Sequence, residues 1–291
     1  MDFIIAIVNG LSLGGTYAMI AIGYTMVYGI AKMLNFAHGD IIMVGGYAMY
    51  ITLLLMDLPI VALLFAIIFC VVLGVCIERF AYKPLRGASP LAVLITAIGV
   101  SYLLQSLSQI VFGSAPKMLM KLQISGFVTL GELRIAYSTI LTLALTVVIM
   151  TALTVFVKYS KPGRAMIAVS EDRDAARLMG INTNAIIAIT FAIGSALAAV
   201  AGYCMLIKSP SLSNTLGAMP GIKAFTAAVI GGIGSIPGAM LGGILLGVIE
   251  SISLGIPTLA PFTDAVEFSI LIVILLVKPA GLLGKARREK V

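Results

Sequence analysis

Charge is what this sequence has least of. Asp, Glu, Lys and Arg make up 11% of its 291 residues, where a soluble domain carries about 25%. So few charges exclude an ordinary water-soluble fold. Histidine occurs once, as His38, and one histidine beside one carboxylate supplies too few ligands for a metal. Cysteine occurs at Cys70, Cys76 and Cys204. The first two are six apart on one helix, point to different faces and cannot bridge. All three read as small hydrophobic residues inside apolar runs. There is no paired-carboxylate site, no Ser-His-Asp set and no HExxH, so enzymatic chemistry has nothing to stand on. No GxxxxGK[ST] phosphate loop is present, and no cofactor is expected.

Apolar residues fill the space: 60% of the chain is hydrophobic, in runs near the ~20 residues that cross a bilayer as a helix. The spacing predicts spans over about 3–31, 41–56, 58–80, 90–112, 137–157, 185–206 and 263–280. The N-terminal MDFIIAIVNGLSLGG lacks a basic leader region and reads as a retained first helix. Between the last two spans, residues 220–255 differ. A short apolar run meets Gly231, Gly232, Gly234, Pro237 and Gly238, a strong helix break, and a longer helix follows. This pattern predicts a re-entrant hairpin, tolerated only where protein or a water-filled cavity satisfies the freed backbone. The expected fold is therefore an all-α polytopic membrane protein of about seven full spans plus that hairpin, in one membrane domain over 1–291.

The net charge of +7 reports topology before it reports a partner, and no nucleic-acid role is expected. If 158–184 faces the cytoplasm, only Lys117, Lys121, Arg134, Lys208 and Lys223 lie outside. The other 14 of the 19 Lys and Arg fall inside, including the terminal "KARREK" over 285–290. That is the sense of the positive-inside rule, with the N-terminus outside and the C-terminus in the cytoplasm. The 30 glycines include small-xxx-small spacings at Gly234/Gly238/Gly242 and Gly243/Gly247, read as helix-packing surfaces.

The most polar stretch is "GRAMIAVSEDRDAARLMGIN", Gly163 to Asn182. Ser170 can cap a helix, Glu171 and Asp172 suit its first turn, Arg173 breaks the capping-box pattern, Arg177 suits the last turn and Gly180 the C-terminal left-handed position. A helix of about nine residues is marginal alone and needs a surface to dock against. Ala175, Ala176, Leu178 and Met179 offer a small one.

This stretch resembles the cytoplasmic coupling loop of ABC importer permeases of the branched-chain amino-acid family. "MLNFAHGDIIMVGGY" (33–47) and "AFTAAVIGGIGSIPGAMLGGILLG" (224–247) resemble the same family, in order along nearly the whole chain. The resemblance implies a permease of a bacterial inner membrane. It implies as partners a second, related permease, two cytoplasmic ATPases and a substrate-binding protein. It also implies that 158–184 seats in the ATPase, through Gly163, Ser170, Glu171, Asp172, Arg173, Arg177 and Gly180.

Near the start of the second span, Asn35, His38, Gly39 and Asp40 are expected to structure a gate. Their side chains would hold a broken helix by hydrogen bonds, with a proton relay as the alternative. Gly231, Gly234 and Gly238 are expected to let the hairpin approach a crowded path. Glu250 and Glu267 read as solvated rim positions, with contact to a binding protein as the alternative. Two further functions stand beside the first: a urea or short-amide permease, and an ion-coupled carrier with a broken helix at its site.

Overall fold

The computed structural model describes residues 2–130 and 133–284; the basic stretch over 285–290 lies outside the described residues. The chain runs α1 (Asp2–Ala31), α2 (His38–Leu55), α3 (Pro59–Ile77), α4 (Pro90–Phe112), β1 (Lys117–Met118), β2 (Phe127–Leu130) and β3 (Leu133–Ala136). It continues with α5 (Tyr137–Tyr159), α6 (Lys161–Glu171), α7 (Arg173–Leu178), α8 (Thr183–Leu206), β4 (Ser211–Leu212), α9 (Ala218–Gly231), α10 (Ile236–Gly255) and α11 (Thr263–Val277). Among the described residues, 8 helices are long and apolar enough to cross a bilayer. They are the seven expected spans and the return leg of the hairpin.

Three helices start by one local device. Ser89, Ser160 and Ser235 each accept a hydrogen bond from a backbone N–H three residues on, with a proline in the first turn. The serine satisfies a donor the helix cannot, and proline needs no partner there.

α1 is the central post. It packs along α10 through small residues: a Cβ on Gly243 would overlap the Ala18 backbone, and one on Gly247 that of Gly14. Backbones this close gain dispersion contacts that apolar lipid cannot supply to a bulky face. Outside, Ile68, Leu91, Ile110 and Val273 are exposed on α3, α4 and α11, as suits a lipid-facing surface.

Two helices start part-way through the bundle. Residues 32–37 form no helix, and the His38 ring then lies against Gly23 of α1 and Gly194, the midpoint of the 24-residue α8. α9 starts beside it: Gly39 of α2 is in such close contact with Gly217 and Gly221 that neither side has room for a Cβ. With 14 residues, α9 is ~21 Å long, too short for ~30 Å of hydrocarbon. It turns through Gly232 (φ 106°) and Gly234 (φ 95°) into α10. Its last carbonyls are sealed by the C-terminal segment, where Leu282 N–H donates to Ile230 at 2.8 Å and Leu283 N–H to Gly231 at 2.9 Å.

The hairpin glycines differ from expectation in one respect. Gly231 and Gly238 do press backbone to backbone, but a Cβ on Gly234 would meet only Gly29 Cα, at 4.0 Å. Gly234 is needed for its positive φ and not for space. The loops over 113–136 and 207–217 are joined, because β1 pairs with β4 (Lys117↔Leu212, Met118↔Ser211). Of the cysteines, Cys70 and Cys204 are buried as expected, whereas Cys76 is exposed.

Candidate functional site

The polar island folds as two helices joined at an elbow. α6 continues from α5 with almost no linker, and Gly163 sits against the Phe156–Val157 backbone where a side chain has no room. The expected cap is corrected. Ser170 lies inside α6 and donates its hydroxyl to the Ile167 carbonyl at 2.7 Å; Glu171 ends α6 instead of opening a helix. Asp172 is extended (φ −148°, ψ 115°), and its Oδ1 accepts from Asp174 N and Ala175 N, both at 2.9 Å. A helix already running from Ser160 absorbs Ser170, while the Asp172 carboxylate satisfies two donors and complements the dipole of the next helix. α7 therefore has six residues, and Gly180 follows it at φ 79°, as expected.

Arg173 turns inward. Its Nη2 donates to the Ala31 carbonyl at 3.0 Å and the Ile30 carbonyl at 3.3 Å, so it caps the C-terminus of α1. Burial, and then Arg86 and Arg177 nearby, lower its pKa from the ordinary value, yet a guanidinium stays charged in proteins. Arg177 Nε donates to Thr183 Oγ1 at 3.1 Å. Arg86 donates to Asn184 and pairs with Glu78. The elbow, the helical turns that continue α3 over 78–85 with Arg86 after them, and the end of α1 thus converge on the start of α8. Ala176 is buried under the elbow, while Leu178 and Met179 are 89% and 83% exposed, the highest values for large apolar side chains among the described residues. Behind the elbow a cavity of about 1180 Å³ is lined by Lys32, Glu171, Gly234, Ser235 and Lys278 among others.

The second group sits at the break before α2. The Tyr82 hydroxyl donates to Asn35 Oδ1 at 2.8 Å. Asp40 accepts from Gln105 Nε2 at 2.8 Å and from the Ser101 hydroxyl, both on α4. His38 packs edge-on to Tyr24, with ring centroids 4.9 Å apart, and its Nε2 has no partner among the described residues. Each of these side chains reaches a different helix: Asn35 and Asp40 tie the break to its neighbours by hydrogen bonds, and His38 by a ring contact. Only the backbone links two of them, His38 N–H to the Asn35 carbonyl at 3.1 Å. Starting part-way through the bundle, α2 has its neighbours' side chains for partners instead of its own.

The third group corrects the rim reading of Glu250 and Glu267, which are 9% and 0% exposed. Lys223 of α9 pairs with Glu250 Oε1 of α10 at 2.7 Å, Asp264 Oδ1 of α11 at 2.9 Å and Glu267 Oε1 of α11 at 3.4 Å. A buried carboxylate needs such a partner, and this cation staples three segments at one point.

The model of the branched-chain amino acid transport system permease component matches residues 6–275. The chain belongs to this family. It is 46% identical to the high-affinity branched-chain amino acid transport system permease protein BraD of Pseudomonas aeruginosa, over 98% of this chain and 97% of that one. It is 45% identical to LivH of Salmonella typhimurium and 44% to LivH of Escherichia coli strain K12, over 97% of this chain and 96% of each relative. Both carry the same high-affinity permease description.

In this permease, sequence reasoning missed Tyr82, Ser101, Gln105 and the Lys223 staple. Two signals were there to read. Lys223 is a lone cation at the start of an apolar run, and such charges have partners. Ser101, Gln105 and Ser108 recur at helical spacing on a span, so one face of α4 is polar.

Proposed function

We propose that this chain is the membrane-spanning subunit of an ATP-driven importer of branched-chain amino acids. It forms one transmembrane domain over 1–291, with 158–184 as its contact to a cytoplasmic ATPase. Two such ATPases, a second related permease and a substrate-binding protein complete the transporter, in a bacterial inner membrane. The names of the full-length relatives support the substrate, and the sequence itself supplies no phosphate loop for a motor of its own.

The observation that carries the coupling is the elbow. Leu178 and Met179 stand exposed at its tip among charged residues, and an exposed apolar patch rimmed by polar residues marks a protein contact. Behind the tip, Arg173 ties the elbow to the last carbonyls of α1, and α1 is packed backbone to backbone on α10. A push on the tip therefore reaches α1, α5 and α8 through bonded contacts. The orientation follows: 158–184 inside, the N-terminus outside and the C-terminus in the cytoplasm. Burial of Lys223 in an ion cluster removes one of the five basic residues counted against it. The path runs past the broken helices, at Asn35, His38, Gly39, Asp40, Gly231, Gly234 and Gly238.

The test is co-purification of the ATPase with the permease, wild type against the double variant Leu178→Asp/Met179→Asp. Both residues point away from the fold, so insertion and permease yield should hold while ATPase recovery falls. Equal ATPase recovery in both would remove the elbow from the interface.

A further inference from the structure

Midway along α4, a cavity of about 320 Å³ is lined by Phe36, Leu94, Ile98, Ser101, Tyr102, Gln105 and Ala218. Its volume falls within the ~300–1,000 Å³ of small-molecule sites. It lies where α2 and α9 both begin: Phe36 precedes α2 and Ala218 is the first residue of α9.

One wall is polar and is organised from behind by a carboxylate. Asp40, 2% exposed, accepts from the Ser101 hydroxyl and from Gln105 Nε2. Gln105 Nε2 also reaches Ser101 Oγ at 3.3 Å. With its amide nitrogen committed twice, Gln105 has only Oε1 left, and among the described residues no donor reaches it. The polar wall therefore presents acceptors, Gln105 Oε1 and the second lone pair of Ser101 Oγ, with a negative charge behind them. The apolar lining is Leu94 and Ile98, one and two turns up the same face of α4, with Phe36 from the segment before α2. Tyr102, 66% exposed, supplies a phenolic donor at the edge.

Acceptors backed by a carboxylate suit an ammonium, an aliphatic wall suits a branched hydrocarbon, and a phenol suits a carboxylate end. We propose that this cavity is a binding site on the path for an α-amino acid zwitterion with an aliphatic side chain. Gln105 and Ser101 receive the ammonium, and Ile98 and Leu94 gauge the side chain. This inference rests on the importer reading above and names the residues that meet its substrate.

The experiment uses the complete transporter in proteoliposomes, with ATP inside and the binding protein outside. It measures leucine taken up per ATP hydrolysed. Gln105→Leu keeps the bulk and deletes the acceptor. The ratio should fall about 10–100-fold, the worth of a hydrogen bond to a charged group, whereas a merely structural defect lowers uptake and hydrolysis together. Ile98→Phe fills the aliphatic wall without touching the polar one. It should change the valine-to-leucine uptake ratio about tenfold, and it carries the test alone if Gln105→Leu does not assemble. Wild-type ratios in the variants, beside an active wild type, overturn the site and leave the importer reading standing. No leucine uptake by the wild type overturns the importer reading itself, and the site with it.

Discussion

Replacing Lys223 with methionine removes one ammonium and leaves three carboxylates behind. Asp264 is half exposed, with 55% of its side chain accessible, so water and ions stabilise it and its share is small. Glu250 and Glu267 lie inside the fold, and each already has a second oxygen with no hydrogen-bond donor. Breaking a buried ion pair by taking one partner costs about 3–5 kcal/mol, because the other charge stays buried. The variant should therefore unfold several degrees earlier. Neutralising both acids as well, in Lys223→Met/Glu250→Gln/Glu267→Gln, should restore most of the loss, since no uncompensated charge remains. A thiol-reactive fluorescent dye reads this directly. Cys70 and Cys204 are buried and react only on unfolding, in a background where the exposed Cys76 is alanine. Unfolding of Lys223→Met at the wild-type temperature would refute the staple. A triple variant no better than the single one would refute the electrostatic cause.

Gly243→Leu should abolish stable insertion or assembly, because its Cβ meets the Ala18 backbone, whereas Gly255→Leu, with open space around it, should be recovered at wild-type yield. Gly234→Ala should cost about 1–2 kcal/mol through backbone strain alone, and Gly231→Ala more, through overlap with Gly238; thermal unfolding in the same dye assay ranks them. Single cysteines at Ala175 and Met120, in a cysteine-free chain, should label from the cytoplasm and from outside respectively. Labelling of both from one side would invert or break the proposed orientation.

Much of the fold was legible because hydropathy needs no partner to be read. A run of ~20 apolar residues announces a span by itself, and Gly-Gly-x-Gly followed by Pro announces a break. The elbow was legible in part. Capping signals are local, but Ser170 and Asp172 compete for the same role, and the winner depends on where the preceding helix starts. That start, Ser160, lies just past the span expected over 137–157 and was not read as a cap. The polar contacts were out of reach for another reason. Asp40 finds its partners 61 and 65 residues away on α4, and Lys223 finds Glu250 and Glu267 at separations of 27 and 44. Nothing in local pattern sets those distances. The depth at which α2 starts was hidden too: the break before it was expected, but depth is a property of the neighbours.

The central claim is that this chain conducts branched-chain amino acids under the drive of a borrowed ATPase. The most direct measurement is uptake of radiolabelled leucine by the complete transporter in proteoliposomes, with urea as the competing solute. ATP inside is compared with an imposed proton or sodium gradient. Leucine accumulation should require internal ATP and the binding protein, ignore the ion gradients and exclude urea. Leucine uptake driven by an ion gradient in the absence of ATP, or urea carried in its place, would contradict it.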